Sequence, residues 1–261
     1  MRQVKPEVIL IARPQVDYEA MRQYLDGVGG SSWLDRLDES NTYAENLVEF
    51  GGRLCYRSWE PGLNANVTRI REDSRDYLGN ILKSGHGSVL QHANFSFMLD
   101  NVSRILTHEL VRHAAGTAYS QESMRFVRLT DLPFWFPDWA LADEIFMTEA
   151  IRFLEHSEWF QRWMTEYFEL DAPGKDFAEK KHKTSFMRRF APGGHATGIL
   201  ATMNIRAIRH IIYMRTAISA EEEIRIVADA IARVCLTEFP NLMQDYSPNE
   251  DLEWIPEWIK V

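Results

Sequence analysis

Apolar residues recur along this chain with two different periods, and the switches between them mark its elements. Residues 8–12 form an uninterrupted apolar run closed by Arg13-Pro14, the pattern of a buried strand. A loop around Gly27-Val28-Gly29-Gly30-Ser31-Ser32 then leads into helical spacing over residues 41–53. Residues 72–84 are also helical and end at Gly85, where glycine suits a helix stop. Residues 93–99 alternate like a strand with one buried face. Residues 101–113 return to helical spacing, with Val102, Ile105, Leu106, Glu109 and Leu110 on one side. The stretch 131–170 is rich in Trp and Phe, first in a loop bounded by Pro133 and Pro137 and then in a helix. An aromatic stripe at helical spacing is usually core or subunit interface.

Residues 198–203 predict a further strand, followed by a helix through residue 216. Residues 221–238 form an amphipathic helix with Ile224, Val227, Ile231, Val234 and Cys235 on its apolar face. Ser219 is placed to cap it, with Glu222 three residues later. The acidic tail, residues 248–261, is expected on the surface. No repeat or long linker divides the chain. The expectation is therefore one α+β domain over residues 1–261, a small mixed sheet flanked by helices.

Composition narrows the class. Apolar residues make up 45% and charged residues 26% of the 261, as in ordinary soluble proteins. No apolar stretch approaches the ~18 residues of a membrane span. The first residues run into a strand-like segment rather than a signal-peptide core. Two cysteines, Cys55 and Cys235, do not make a disulfide framework, and a cytoplasmic protein is expected. A formal net charge of −9 argues against indiscriminate nucleic-acid binding. Local patches depart from that average: Lys180-Lys181-His182-Lys183, Arg188-Arg189, and Arg206, Arg209 and Arg215. The last three sit among apolar residues, where a charge needs a partner. An anionic small molecule is the simplest one.

Two chemistries can be set aside. His108 and His113 flank a segment like a zinc-protease helix, but five residues place them roughly 140° apart on a helix. No metal site is expected. Cys55 has arginine neighbours that could lower a thiol pKa, yet no Cys/His pair is apparent and a buried structural cysteine is commoner. More informative is the block from Arg112 to Phe126, which collects small, polar and cationic residues with little apolar periodicity. Small residues let backbone approach a ligand, and backbone N–H groups can cradle a phosphate. Three other segments join it: residues 85–92, residues 188–192, and residues 204–215.

These four blocks resemble the flavin-dependent thymidylate synthases, over roughly residues 44–240. The family signature is Arg-His-Arg, seven residues, then Ser-x-Arg-Tyr. This chain has Arg112-His113-Ala114, eight residues, then Ser123-Met124-Arg125-Phe126. The family's Gly-His-x-Ser/Thr-x-x-Glu-His stands as Gly85 to His92, with Gln91 replacing the glutamate. The resemblance implies that Arg112, His113, Ala114 and Ala115 border FAD, with His86, Ser88, Asn204, Arg206 and His210 on the flavin nucleotide. It implies that Gln121, Glu122, Ser123 and Arg125 hold a nucleotide substrate, with Arg188 on its phosphate. Arg215 would face the uracil ring, while Glu109 and Arg112 would also contact substrate. Ser123 and Arg215 are the catalytic candidates.

The implied reaction is methylation of a uridine monophosphate at C5, with methylene-tetrahydrofolate as carbon donor and NADPH as reductant. The family substrate is dUMP. The longer segment of small residues, 114–118, makes room for UMP as well. A homotetramer with sites between subunits is the implied assembly. The rival is a catalytically inactive relative serving as a nucleotide sensor or assembly partner. No Gly-x-Gly-x-x-Gly turn is present, so loops and helix ends would hold the flavin.

Overall fold

The computed structural model describes every residue except Val127, Arg128, Thr130 and Val261. In chain order, strands β1 (Arg2–Gln3) and β2 (Glu7–Ala12) precede helices α1 (Tyr18–Val28), α2 (Ser31–Asp35), α3 (Tyr43–Tyr56) and α4 (Ser74–Ser84). Strand β3 (Asn94–Ser103), helix α5 (Arg104–Leu110) and strand β4 (Thr117–Gln121) follow. Next come β5 (Pro133–Phe134), α6 (Asp138–Leu141), α7 (Glu144–Tyr167) and α8 (Phe177–Met187). The chain continues through β6 (Ala196–Asn204), α9 (Ile205–Thr216), α10 (Glu222–Glu238), β7 (Tyr246–Pro248) and β8 (Trp254–Pro256). Helices thus surround small sheets, the largest having the order β2-β3-β6-β4.

The chain forms two compact units. The first comprises residues 1–9, 98–112 and 119–201; the second, residues 10–97, 113–118 and 202–261. In the first unit β1 and β5 pair in parallel, with Arg2 opposite Pro133. The terminal ammonium of Met1 reaches the buried Glu158 of α7 at 2.8 Å, and the same carboxylate accepts from the Leu132 amide. Met164, Leu170 and Met187 form a local core where α7 meets the end of α8.

The second unit is built around α9 and α10. Asn204 caps α9, its Oδ1 accepting from Ala207 N at 2.9 Å. Ile205, Ile208, Ile211 and Ile212 are buried on one side of α9, which leaves Arg206 and His210 on another. Met21, Leu25, Trp33 and Trp59 make a second cluster. Beside it, Arg53 donates to Glu49 at 2.8 Å inside the protein. The capping box expected of a helix start occurs at Thr42 and Glu45 of α3, and Gly85 ends α4 in the left-handed region at φ 75°.

Several expectations from the sequence are corrected. The apolar run 8–12 is an edge strand rather than a buried one, with Ile9 and Ile11 exposed at 45% and 59%. Helix α1 extends through Gly27 and Val28, where a loop was expected. The predicted helix 101–113 shrinks to α5, because β3 runs on to Ser103 and the Ser103 side chain caps the helix at Leu106 N. Ile105 is consequently exposed rather than on the buried side. Helix α10 is capped by Glu221, not Ser219. The tail packs more deeply than expected. Trp254 is buried, its indole N–H donates to Asp229 at 2.8 Å, and Pro256 is buried with it. Val261, the end of that segment, lies outside the described residues.

Candidate functional site

The residues singled out from sequence fall into two groups, one in each unit. In the second unit, Asn204, Arg206 and His210 share a cavity of ≈ 430 Å³ with Ala115 and Gly116. Arg206 and His210 meet there because four residues bring them to neighbouring positions on α9. The cavity's approach to backbone is unusually close. Gly116 adopts φ +73°, and a Cβ there would overlap the Asn204 amide. The Asn204 N–H donates to the Gly116 carbonyl at 3.0 Å, fastening the start of α9 to this turn. Gly116 is therefore required both for its conformation and for the space.

His113 lies in the same unit. Arg215 Nε donates to His113 Nε2 at 2.8 Å, and the His210 ring meets the His113 ring edge-on at 5.6 Å. Burial, the Arg215 charge and His210 push the His113 pKa down to about 4. At neutral pH His113 is an uncharged acceptor, with its ring proton on Nδ1. Arg215 is thus more than a helix-end charge: a specific hydrogen bond orients it.

Among the remaining residues of this group, His86 stacks on Tyr56 at 6.2 Å and does not line the cavity. Ser88 is exposed and opens a 3₁₀ turn, residues 89–91, that brings Gln91 to the cavity wall. Ala114 is exposed beside Ala115. Arg209 does not await a ligand, contrary to its reading from sequence. It is fully buried and forms a two-pronged ion pair with Asp245, both contacts at 2.8 Å.

In the first unit, arginines gather near Ser185. Arg125 Nε donates to Ser185 Oγ at 2.9 Å, and Arg188 Nε donates to the Ser185 carbonyl at 3.2 Å. Arg188 is exposed. Ser123 Oγ accepts from Arg125 N at 3.3 Å and so shapes the turn that carries that arginine. Gln121 donates to Thr107 of α5 at 2.9 Å. Glu109 and Arg112 stand at the end of α5, where the Arg112 amide donates to the Glu109 carbonyl. The segment 117–121 is strand β4, within the block that has little apolar periodicity.

This unit also places Arg104, His195 and Thr197, which the sequence did not single out, beside the expected Glu122. A cavity of ≈ 190 Å³ is lined by Arg104, Glu122, His195 and Thr197. Glu122 accepts from Thr197 Oγ1 and from Gly198 N, both at 3.2 Å. Arg104 donates through Nε to His195 Nε2 at 3.1 Å and through Nη2 to the Glu122 carbonyl. His195 Nδ1 lies 2.7 Å from the Pro192 carbonyl and must carry the proton there. Burial lowers the His195 pKa, so a neutral ring holds Arg104 in place. Arg104 and His195 are 91 positions apart; no local pattern could have paired them. The only hint was a cation at the start of an apolar helix.

The cysteines divide as well. Cys235 is buried, and burial raises its thiol pKa well above the ordinary value. Cys55 is exposed, contrary to the buried role expected, and its thiol donates to the Gly51 carbonyl at 3.4 Å. Among the described residues no cluster of His, Cys, Asp and Glu could hold a metal ion. No helix among them is long and apolar enough to cross a membrane.

A cavity walled by cations and amides, together with a separate cluster of arginines, belongs to a class of proteins that handle anionic ligands. Comparison with known proteins makes the class specific. The profile of the thymidylate synthase complementing protein family matches residues 36–241. A flavin-dependent thymidylate synthase of Mycobacteroides abscessus is 33% identical over 209 residues, covering 77% of this chain and 78% of that protein. The protein of that name from Mycolicibacterium gilvum is 34% identical over 209 residues, with the same coverage. That of Mycobacterium tuberculosis is 34% identical over 206 residues, again covering 77% and 78%. The chain belongs to this family of flavin-dependent, methyl-transferring enzymes.

Proposed function

We propose that the protein is an FAD-dependent enzyme that methylates a uridine 5′-monophosphate at C5, taking carbon from methylene-tetrahydrofolate and reducing equivalents from NADPH. dUMP is the primary acceptor and UMP a second one. The observation that carries this reading is the convergence of Asn204, Arg206 and His210 with Ala115 and Gly116 on one cavity. That cavity suits a flavin nucleotide: cations and amides meet its phosphates, and the Gly116 turn exposes backbone where a Cβ would intrude. Bound there, the flavin would supply the redox chemistry. The family match runs through residues of both units, which supports reading the chain as one functional domain.

The chain's own residues supply binding and electrostatics. Arg125 and Arg188 are the phosphate cations for the nucleotide, with Ser123, Gln121, Glu122, Glu109 and Arg112 around it. Arg215, aimed by its bond to neutral His113, is the fixed cation that polarises the uracil ring. Neither cysteine is assigned a nucleophilic role, because Cys235 is buried with a raised pKa and the Cys55 thiol is engaged with a backbone carbonyl. UMP is included because the stretch between Ala114 and Ser123 is one residue longer than the family pattern and residues 114–118 are small. We further propose a homotetramer with sites between subunits, supported by the exposed aromatic face of α7.

The deciding experiment is an absorption spectrum of the purified protein followed by turnover. Flavin bands bleached by NADPH, and methylation of dUMP at a rate unaffected by Cys55→Ser and Cys235→Ser, are expected. A protein that binds nucleotide but neither holds nor reduces flavin would instead be an inactive sensor. Strict use of dUMP, with UMP neither converted nor inhibitory, would remove UMP from the reading.

A further inference from the structure

The cavity of the second unit has a wall that lies outside the family-matched residues 36–241. Tyr246, Pro256, Ile259 and Lys260, from the β7–β8 hairpin and the residues after it, line it together with Arg206 and His210. Trp254 anchors this hairpin: its indole N–H donates to Asp229 Oδ1 and its backbone N–H donates to Thr216 Oγ1. The tail is therefore a packed part of the unit and not an incidental neighbour of the cavity.

Lys260 is placed with some specificity. A methyl group at Gly85 would come within 3.1 Å of Lys260 Cβ and 3.3 Å of its Cδ, so the lysine stem lies along that backbone. Two residues on, a methyl group at Gly87 would come within 2.9 Å of Arg206 Nε and 3.1 Å of its Cζ. The Gly85-His86-Gly87 turn thus lies against the Lys260 stem at one glycine and against the Arg206 guanidinium at the other. A side chain at Gly87 would crowd the Arg206 guanidinium, and one at Gly85 would press on the Lys260 stem. Both cations line the cavity, and its lining includes no aspartate or glutamate. Neither Arg206 nor Lys260 has an ion-pair partner among the described residues.

Two cations in a cavity without acids match a ligand with two adjacent negative charges better than a single monoanion. We infer that Lys260 is a second cation, paired with Arg206 across the Gly85-His86-Gly87 turn, for the diphosphate of a bound dinucleotide. On the proposed function that dinucleotide is FAD, and the inference rests on that reading. NADPH has the same diphosphate, so the test separates the two.

FAD is titrated into the full-length apoprotein and its dissociation constant is read from flavin fluorescence. Lys260→Met keeps the aliphatic stem along Gly85 and removes only the charge. It is expected to weaken FAD binding roughly tenfold, the scale of one hydrogen bond to a charged group. Lys260→Arg should bind within about twofold of the wild type, since the charge is restored. FAD affinity unchanged in Lys260→Met overturns the inference, because packing alone would then account for the side chain. A raised KM for NADPH with unchanged FAD affinity overturns the assignment to FAD as well. A wild-type protein that fails to bind FAD at all sinks the proposed function instead, and the two failures are distinct.

Discussion

At the scale of single residues, His113 shows how a local charge environment sets a protonation state. Its folded pKa is about 4, against an ordinary value of 6.5, because of burial, Arg215 and His210. Between those values the unfolded chain holds a proton that folded His113 refuses. The contribution of His113 is therefore full above pH 6.5 and is lost as pH falls toward 4. Urea midpoints of the wild type and His113→Gln, compared at pH 7 and pH 4.5, should show the wild type losing more stability. The expected difference is on the order of 1 kcal/mol, since His113 is only half buried and solvent screens its interactions. Equal losses would place the titrating groups elsewhere.

Single residues also show what the sequence could reveal. Arg206 and His210 were legible because helical spacing is local, and the structure puts both on one cavity. Arg104 and His195 were not, because their meeting depends on how distant segments fold. Their pairing makes a prediction of its own. Arg104→Met should raise the KM for dUMP by roughly tenfold or more if this cation contributes to the electrostatics of the nucleotide phosphate beside Arg188. His195→Gln, which can still accept from Arg104, should lose less. An unchanged KM in Arg104→Met would leave Arg104 a structural residue of the Glu122 turn.

Among elements, the errors from sequence share one cause: local pattern reports amphipathicity but not which elements will cover it. The run 8–12 is as apolar as a central strand, yet the sheet order leaves it at an edge. Residues 101–103 fit the helical period, but strand pairing claims them and Ser103 becomes the cap of α5. The tail reads as an acidic surface segment, although it carries two tryptophans, Trp254 and Trp258, and two prolines, Pro248 and Pro256. Just ahead of the tail, the chain is tied to α9 by the buried pair of Arg209 and Asp245, reinforced by Arg209 donating to the Leu242 carbonyl at 2.6 Å and by Tyr246 donating to the Arg209 carbonyl at 2.7 Å. Removing one partner would strand a charge in the interior. Asp245→Ala should therefore cost about 3–5 kcal/mol, measured by chemical denaturation. On the proposed function, in which flavin occupies the cavity that Tyr246 lines, the same variant should also bind flavin more weakly. A loss below about 1 kcal/mol would mean that water reaches Arg209 and solvates it.

For the molecule as a whole, the unresolved balance is apolar surface left in solvent. Ile145, Phe153, Trp159, Trp163 and Tyr167 of α7 are all exposed, Ile145 at 83% and Tyr167 at 67%. The rings are not scattered: Phe160 stacks on Trp163 at 5.6 Å, Trp163 on Tyr167 at 5.0 Å, and Phe190 meets Phe160 edge-on at 5.3 Å. The sequence pattern assigns this stripe to core or subunit interface in preference to a ligand box, and the exposure of these side chains takes them out of the core of one chain. Single exposed apolar residues need no explanation, whereas a contiguous aromatic face of this kind marks an association surface. The proposed homotetramer would cover it with the same face, or an adjoining one, of another copy. Trp159→Glu with Trp163→Glu should then weaken assembly strongly, because each new carboxylate would have to be desolvated in an apolar contact. If each tryptophan contributes roughly 2 kcal/mol, as central interface residues do, the two together shift the dissociation constant by about 10³-fold. Light scattering at micromolar concentration should show the wild type as an oligomer and the double variant as a smaller species with an unchanged circular dichroism spectrum. A wild type that is already monomeric at that concentration would defeat the proposed assembly, and with it the placement of sites between subunits.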